Sequence, residues 1–170
     1  MPAKGQRALQ LAEFEARLVN IPEIDWARLA AYIDGEGTIY INRTRPRDRH
    51  INTTYNLSVL ITNSSLPLIN WLQKTFGGSA YDKNFHGKNK LGIRPMKTWY
   101  VNEGQAATIL QHCLPYFIVK HQQAVIGIAF RELKSRGRRG VLVSPEDMAQ
   151  REELRNKIHL LDSPKFGQAN

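Results

Sequence analysis

One carboxylate stands where its own helix would not favour it. Residues Arg28 to Gly37 read R-L-A-A-Y-I-D-G-E-G, a helix-forming run that ends on Gly35-Glu36-Gly37. The C-terminal end of a helix carries partial negative charge and attracts cations. Glu36 therefore sits against local preference, and a bound cation resolves the conflict. The paired glycines are expected to bring Glu36 out of the helix at its last turn. Trp26, Leu29 and Ile33 lie about one helical turn apart and predict one apolar stripe. Ala27, Ala31 and Gly35 recur every fourth residue on another face. A row of such small side chains lets a second helix backbone approach closely.

A second chemistry is hydrogen bonding from extended chain. Over residues 38–42, Ile39 and Ile41 alternate with Thr38, Tyr40 and Asn42, and Thr44 continues the polar series. Over residues 52–63, Tyr55, Leu57, Val59 and Ile61 alternate with Thr54, Asn56, Ser58 and Leu60. This period of two predicts strands with one apolar face and one open face. Residues 79–84 and 97–102 predict two more strands, whose Asp82, Asn84, Thr98 and Tyr100 extend the open face. Short polar side chains of this kind match base edges: an aspartate accepts from the cytosine amino group, and asparagine suits adenine. Arg43 and Arg45 open a charged turn, R-T-R-P-R-D-R-H, that holds four arginines. Arg138 and Arg139 lie in another basic stretch. The formal net charge is +9 over 170 residues. Excess positive charge favours a polyanionic partner such as nucleic acid, and no basic amphipathic helix argues for a membrane.

The elements that must position these residues follow in order. A short helix is expected over residues 6–19, with Leu9, Leu11, Phe14 and Leu18 apolar. Asp25 is the expected N-cap of the helix that carries Glu36. Ser65 caps a helix to Phe76, closed by Gly77-Gly78. Asn102 is placed to cap a helix over residues 103–113. Pro115 separates it from a longer helix over residues 117–134. Ser144-Pro145-Glu146-Asp147 starts a last helix, to about residue 161, by cap, proline and first-turn acids. The class is α+β: a four-stranded antiparallel sheet with helices on one face, in a single domain spanning residues 1–170 with its core over 25–134. Hydrophobic residues make up 42% of the chain, and no run reaches membrane-spanning length. Cys113 is the only cysteine, so no disulfide framework or cysteine metal cluster is expected. With no signal-peptide pattern, an intracellular protein is expected.

The stretch Leu29-Ala30-Ala31-Tyr32-Ile33-Asp34-Gly35-Glu36-Gly37 resembles the motif of the LAGLIDADG homing endonucleases. Ala31 stands where the family often has glycine, and Glu36 where it more often has aspartate. The resemblance implies an αββαββα fold with extra terminal helices. It implies that motif helices pair across a two-fold axis, with Ala27, Ala31, Asp34 and Gly35 in the contact. One motif per chain implies a homodimer. It implies that Glu36 and the Gly35 carbonyl hold a catalytic divalent cation, Mg²⁺ first. Leu114 to Lys120, with Gln123-Ala124, is similar to the family's segment before its long helix, which makes Lys120 the lysine near the active site. Asn63, after Thr62, falls where the family places a polar water-positioning residue. The activity so implied is site-specific cleavage of both strands of a long, nearly palindromic DNA target, leaving 3′ overhangs. The alternatives are an intron maturase, whose partner would be intron RNA, or a non-cleaving nucleic-acid-binding protein of the same fold, and, more distantly, a basic domain that binds another protein. Organelle genomes and introns are common homes of single-motif relatives, and the expected compartment is an organelle (chloroplast or mitochondrion) or the cytoplasm or nucleoid, with nothing in the sequence selecting one.

Overall fold

The computed structural model describes residues 6–44, 53–83, 95–136 and 143–162. Helices α1 (Gln6–Leu18) and α2 (Glu23–Glu36) come first, and strands β1 (Gly37–Thr44) and β2 (Thr54–Asn63) follow. Next are α3 (Leu66–Phe76), β3 (Ser79–Asp82), β4 (Lys97–Asn102) and α4 (Glu103–Cys113). A short 3-10 turn (Leu114–Tyr116), α5 (His121–Arg136) and α6 (Pro145–Asp162) complete the described elements. The sheet is antiparallel throughout, in the order β1-β2-β4-β3.

The two-residue alternation sets the layers. Ile39, Ile41, Leu57, Val59 and Ile61 are 0–4% exposed beneath the helices. Burying a side chain of this kind contributes about 1.5–3 kcal/mol, so the sheet is fixed to its helical layer through one face. The core continues between α2, α3 and α4. There Trp26 stacks on His112 with centroids 4.3 Å apart and meets Phe76 at 5.1 Å. The Cys113 thiol is buried here, and burial pushes its pKa far up, so it remains protonated.

Several boundaries differ from the sequence expectation. The motif helix starts two residues before Asp25, with Pro22 at the cap position. Asp25 instead pairs in the first turn with Arg28 at 3.1 Å. Helix α2 runs through Gly35 and Glu36 and stops only at Gly37. A Cβ on Gly37 would lie 2.6 Å from the Ile33 Cα, which is why only glycine turns the corner from α2 into β1. Asn102 holds the cap position of α4 without a side-chain capping bond, whereas Ser65 does accept from the Leu68 amide. The helix expected from residue 117 begins at His121, because the backbone N–H groups of residues 118–120 are taken by Asp34.

Candidate active site and nucleic-acid interface

The last turn of α2 and its junction with β1 take up the three residues singled out for catalysis, Asn63 on Glu36 and Lys120 on the Asp34 carbonyl. Gly37 pairs with Ile61 at the start of the β1–β2 ladder. This brings Asn63, two residues on, beside Glu36. The Asn63 Nδ2 donates to Glu36 Oε2, and the Asn63 Oδ1 accepts from the Ser65 N–H at 2.6 Å. The amide is thus fixed from both ends and presents its N–H to the carboxylate. Glu36 itself is exposed at the surface.

Lys120 arrives from the other side. Its Nζ donates to the Asp34 carbonyl at 2.6 Å. The ammonium therefore sits on the carbonyl end of α2, where a cation is favourable. Asp34 was expected in a contact between helices, but its carboxylate turns into its own chain. It accepts from the N–H groups of Ile118 at 2.7 Å, Val119 at 3.2 Å and Lys120 at 2.8 Å. Asp34 is thus what delivers Lys120 to the end of α2. Ala27, Ala31 and Gly35 do lie on the solvent side of α2, beside Ile24, which is 57% exposed. A Cβ placed on Gly35 would meet nothing within 4 Å.

Among the described residues, no group of three or more His, Cys, Asp or Glu side chains could hold a metal ion. The donors at this corner are hard oxygens, the Glu36 carboxylate and the adjoining Gly35 carbonyl at the negative end of a helix. They fit an oxygen-seeking divalent cation, but they supply only part of its coordination from one chain.

The face of the sheet opposite the helices carries Thr38, Tyr40, Asn42 and Thr44 on β1, and Thr54, Asn56, Ser58, Leu60 and Thr62 on β2. Register adds Thr98, Tyr100 and Asn102 on β4. Among the described strand residues this face is uncharged. Two of its members are spent within the face: Ser58 and Thr98 are each 1% exposed. Ser58 Oγ lies 3.1 Å from Tyr100 Oη, and Thr98 Oγ1 lies 2.8 Å from Thr62 Oγ1. Burial raises the Tyr40 phenol's pKa, with the Ser58 hydroxyl acting the other way, so Tyr40 is a neutral hydrogen-bonding group.

Asp82 and Arg43 are corrections. In the β3–β4 register Asp82 opposes Lys97, and the two form an ion pair at 3.2 Å, with Ala80 opposite Trp99 on the same, helix-facing side. It is Ser79 and Tyr81 that share the open face, Tyr81 with its ring 6.5 Å from that of Tyr100. The missed signal was Ala80, the one apolar residue that sets the parity of this short strand. Arg43 likewise points to the helical side. Its guanidinium reaches Glu152 on α6 at 3.5 Å, and Tyr55 donates its hydroxyl to the same carboxylate. Arg45, Asn84, Arg138 and Arg139 lie outside the described residues.

At the far end of the open face, a cleft of about 880 Å³ runs between the sheet and the ends of α4 and α5. Asn42, Asn56 and Tyr100 border it from the sheet, and Glu103, Arg131 and Lys134 from the helices. Burial lowers the pKa of the Lys134 ammonium, and Glu103 opposes that shift.

The architecture is that of the LAGLIDADG homing endonucleases. The chain superimposes on the homing endonuclease I-CvuI, crystallised with its target, with a TM-score of 0.66 at 20% identity over 86% of this chain and 87% of that one. It matches the archaeal intron-encoded homing endonuclease I-Vdi141I, complexed with DNA, with a TM-score of 0.67 at 12% identity, covering 87% and 90% of the two chains. A third match, the LAGLIDADG homing endonuclease I-SmaMI bound to cleaved DNA, has a TM-score of 0.65 at 15% identity, but this chain covers 82% of itself and only 45% of that chain. No protein-family model matches the sequence. No curated protein matches it either.

Proposed function

We propose that the protein is a site-specific DNA endonuclease that acts as a homodimer. The observation that carries the reading is the end of α2, where Asn63 bonds Glu36 and Lys120 bonds the Asp34 carbonyl, next to a solvent-side face of α2 that holds Ala31 and Gly35 exposed among the described residues. Glycine within a helix costs about 0.5–1 kcal/mol relative to alanine. At Gly35 a methyl group would have open space within the single chain, so the missing side chain makes sense only if another backbone approaches. A second copy related by two-fold symmetry supplies that backbone and sets a second Glu36 beside the first. The same unit spans nearly all of I-CvuI and less than half of I-SmaMI, which supports two units as the working assembly.

Glu36 and the Gly35 carbonyl of each copy would hold a divalent cation, with Mg²⁺ the expected ion and phosphate oxygens of the DNA completing the sites. A bound divalent ion neutralises charge on the scissile phosphate and makes a water more acidic. The protein's own part is positioning. Asn63 keeps the Glu36 carboxylate in one orientation. Lys120 places a fixed positive charge at the same corner, where negative charge accumulates as the phosphodiester is attacked. The uncharged sheet face reads base edges in the major groove, and basic segments such as those around Arg45 and Arg138 bind phosphate, the division of labour usual at DNA interfaces. Cleavage across the minor groove leaves 3′ overhangs. The protein acts inside the cell, in an organelle or the cytoplasm.

The test is a library of duplexes randomised over two half-sites, incubated with the protein and Mg²⁺, with cut ends sequenced. The expected outcome is cutting at one nearly palindromic site with 3′ extensions. Glu36→Gln abolishes cutting while duplex binding persists. Salt-sensitive binding without cutting by the intact chain would instead assign it as a maturase or other non-cleaving binder.

A further inference from the structure

The Lys134 ammonium has three N–H donors, and the structure gives it three acceptors. They are the Tyr55 carbonyl at 2.5 Å, Asn56 Oδ1 at 2.9 Å and Glu103 Oε1 at 2.7 Å. Glu103 holds its place with φ +52, the one positive φ at a non-glycine among the described residues. Such a conformation persists only where its surroundings enforce it. The arrangement has a consequence for Asn56, which sits on the open face opposite Asn42. An ammonium can only donate, so it holds the oxygen end of the amide. Rotating the amide by half a turn would set its NH₂ against the ammonium. The nitrogen end is therefore directed away from Lys134.

We infer that Asn56 is a base-reading residue locked as a hydrogen-bond donor, with Lys134 and Glu103 as its positioning residues. This rests on the DNA-endonuclease reading and adds what kind of base edge one position selects. The familiar pairing of asparagine with adenine needs the amide oxygen and nitrogen together on the base edge. With the oxygen accepting from Lys134, the amide nitrogen is the end left for base acceptors: guanine N7 and O6, thymine O4, or adenine N7 by a single bond in place of the bidentate pairing. It disfavours cytosine, whose major-groove edge offers an amino group. Asn42, its partner in the ladder, lies five residues beyond Gly37, or roughly 17 Å along the strand at ~3.4 Å per residue. The base pair concerned is thus on the order of five steps outward from the catalytic corner.

The experiment measures base preference for the full chain by selection from randomised duplexes, with Ca²⁺ in place of Mg²⁺. The intact protein is expected to deplete cytosine at one outer position of each half-site, where the other bases offer an acceptor. Asn56→Asp replaces the donor with an acceptor next to Lys134, with which it can pair, so the fold is retained. At that position alone, preference moves by about tenfold toward cytosine or adenine, whose edges carry amino groups. Lys134→Met frees the amide to rotate and flattens preference at the same position while the others stay as they were. A general structural role for Lys134 would weaken all positions together, and thermal melting of each variant reports such damage. If Lys134→Met does not fold, Asn56→Asp decides alone. An unchanged profile in Asn56→Asp, with duplex binding intact, overturns this inference and leaves the endonuclease reading standing. Absence of any duplex enrichment by the intact chain overturns both.

Discussion

Asp34 shows how one side chain can set up the proposed catalytic corner from behind. Its carboxylate accepts three successive backbone N–H groups, and the bend so formed carries Lys120 back to the carbonyl of the same residue. Asp34→Ala leaves those N–H groups without their acceptor, at a cost of about 1–3 kcal/mol, read as a lower midpoint in urea. It also releases Lys120, so cleavage is expected to fall further than stability does. Glu36 was legible in the sequence because a carboxylate at a helix C-terminus conflicts with the dipole. The partnership of Asp34 with residues 118–120 was not, since more than eighty positions separate them and no local pattern records a hydrogen bond across that gap. Asn56 was placed correctly on the face, but the commitment of its oxygen depends on a lysine from a different helix.

At the scale of elements, period-two alternation made β1, β2 and β4 readable, because each buries at least two apolar residues in alternate positions against the helices. It failed at β3, which has four residues and a single apolar guide, Ala80. That is why Asp82 was assigned to the face that Tyr81 occupies. Helix α6 illustrates the other limit: its start was announced by Ser144 and Pro145, but nothing local showed where it docks. It reaches the end of the β1–β2 ladder, where Glu152 accepts from Tyr55, Arg43 and Arg155. The Tyr55 hydroxyl above all, with the two guanidiniums, holds the Glu152 carboxyl below the usual carboxylate range. A carboxylate with a depressed folded-state pKa stabilises the fold fully above its unfolded value, about 4.3, and loses that contribution as pH falls through the lower folded value. Thermal melts should therefore show Glu152→Gln less stable than the parent at neutral pH, with the gap closing as pH drops below about 4. A gap that stays constant with pH would assign the contact no role in acid stability.

For the whole molecule, assembly is the property that a single chain leaves open. The solvent-side row of Ile24, half-buried Ala27, Ala31 and Gly35 makes opposite predictions for a lone chain and for a pair. In a lone chain Gly35→Leu enters open space, replaces a poor helix former and raises the melting temperature slightly. In a pair it pushes the two backbones apart. Sedimentation of the parent and Gly35→Leu proteins distinguishes these, and the expected result is a dimer converted to a folded monomer that no longer cuts DNA. Charge belongs to this scale as well. The net +9 is not on the strands of the open face, so affinity should fall steeply with salt while base preference changes little.

Strand β2 is ten residues long and its neighbour β4 only six, and their pairing ends at Ser58 and Asn102. The first residues of β2 thus overhang, with main-chain groups that a foreign strand would otherwise seek. Lys134 caps the Tyr55 carbonyl there with an ammonium, which no incoming strand can displace without stranding a positive charge. This stretch is thereby closed to runaway sheet extension, and self-association through it is discouraged even at high protein concentration.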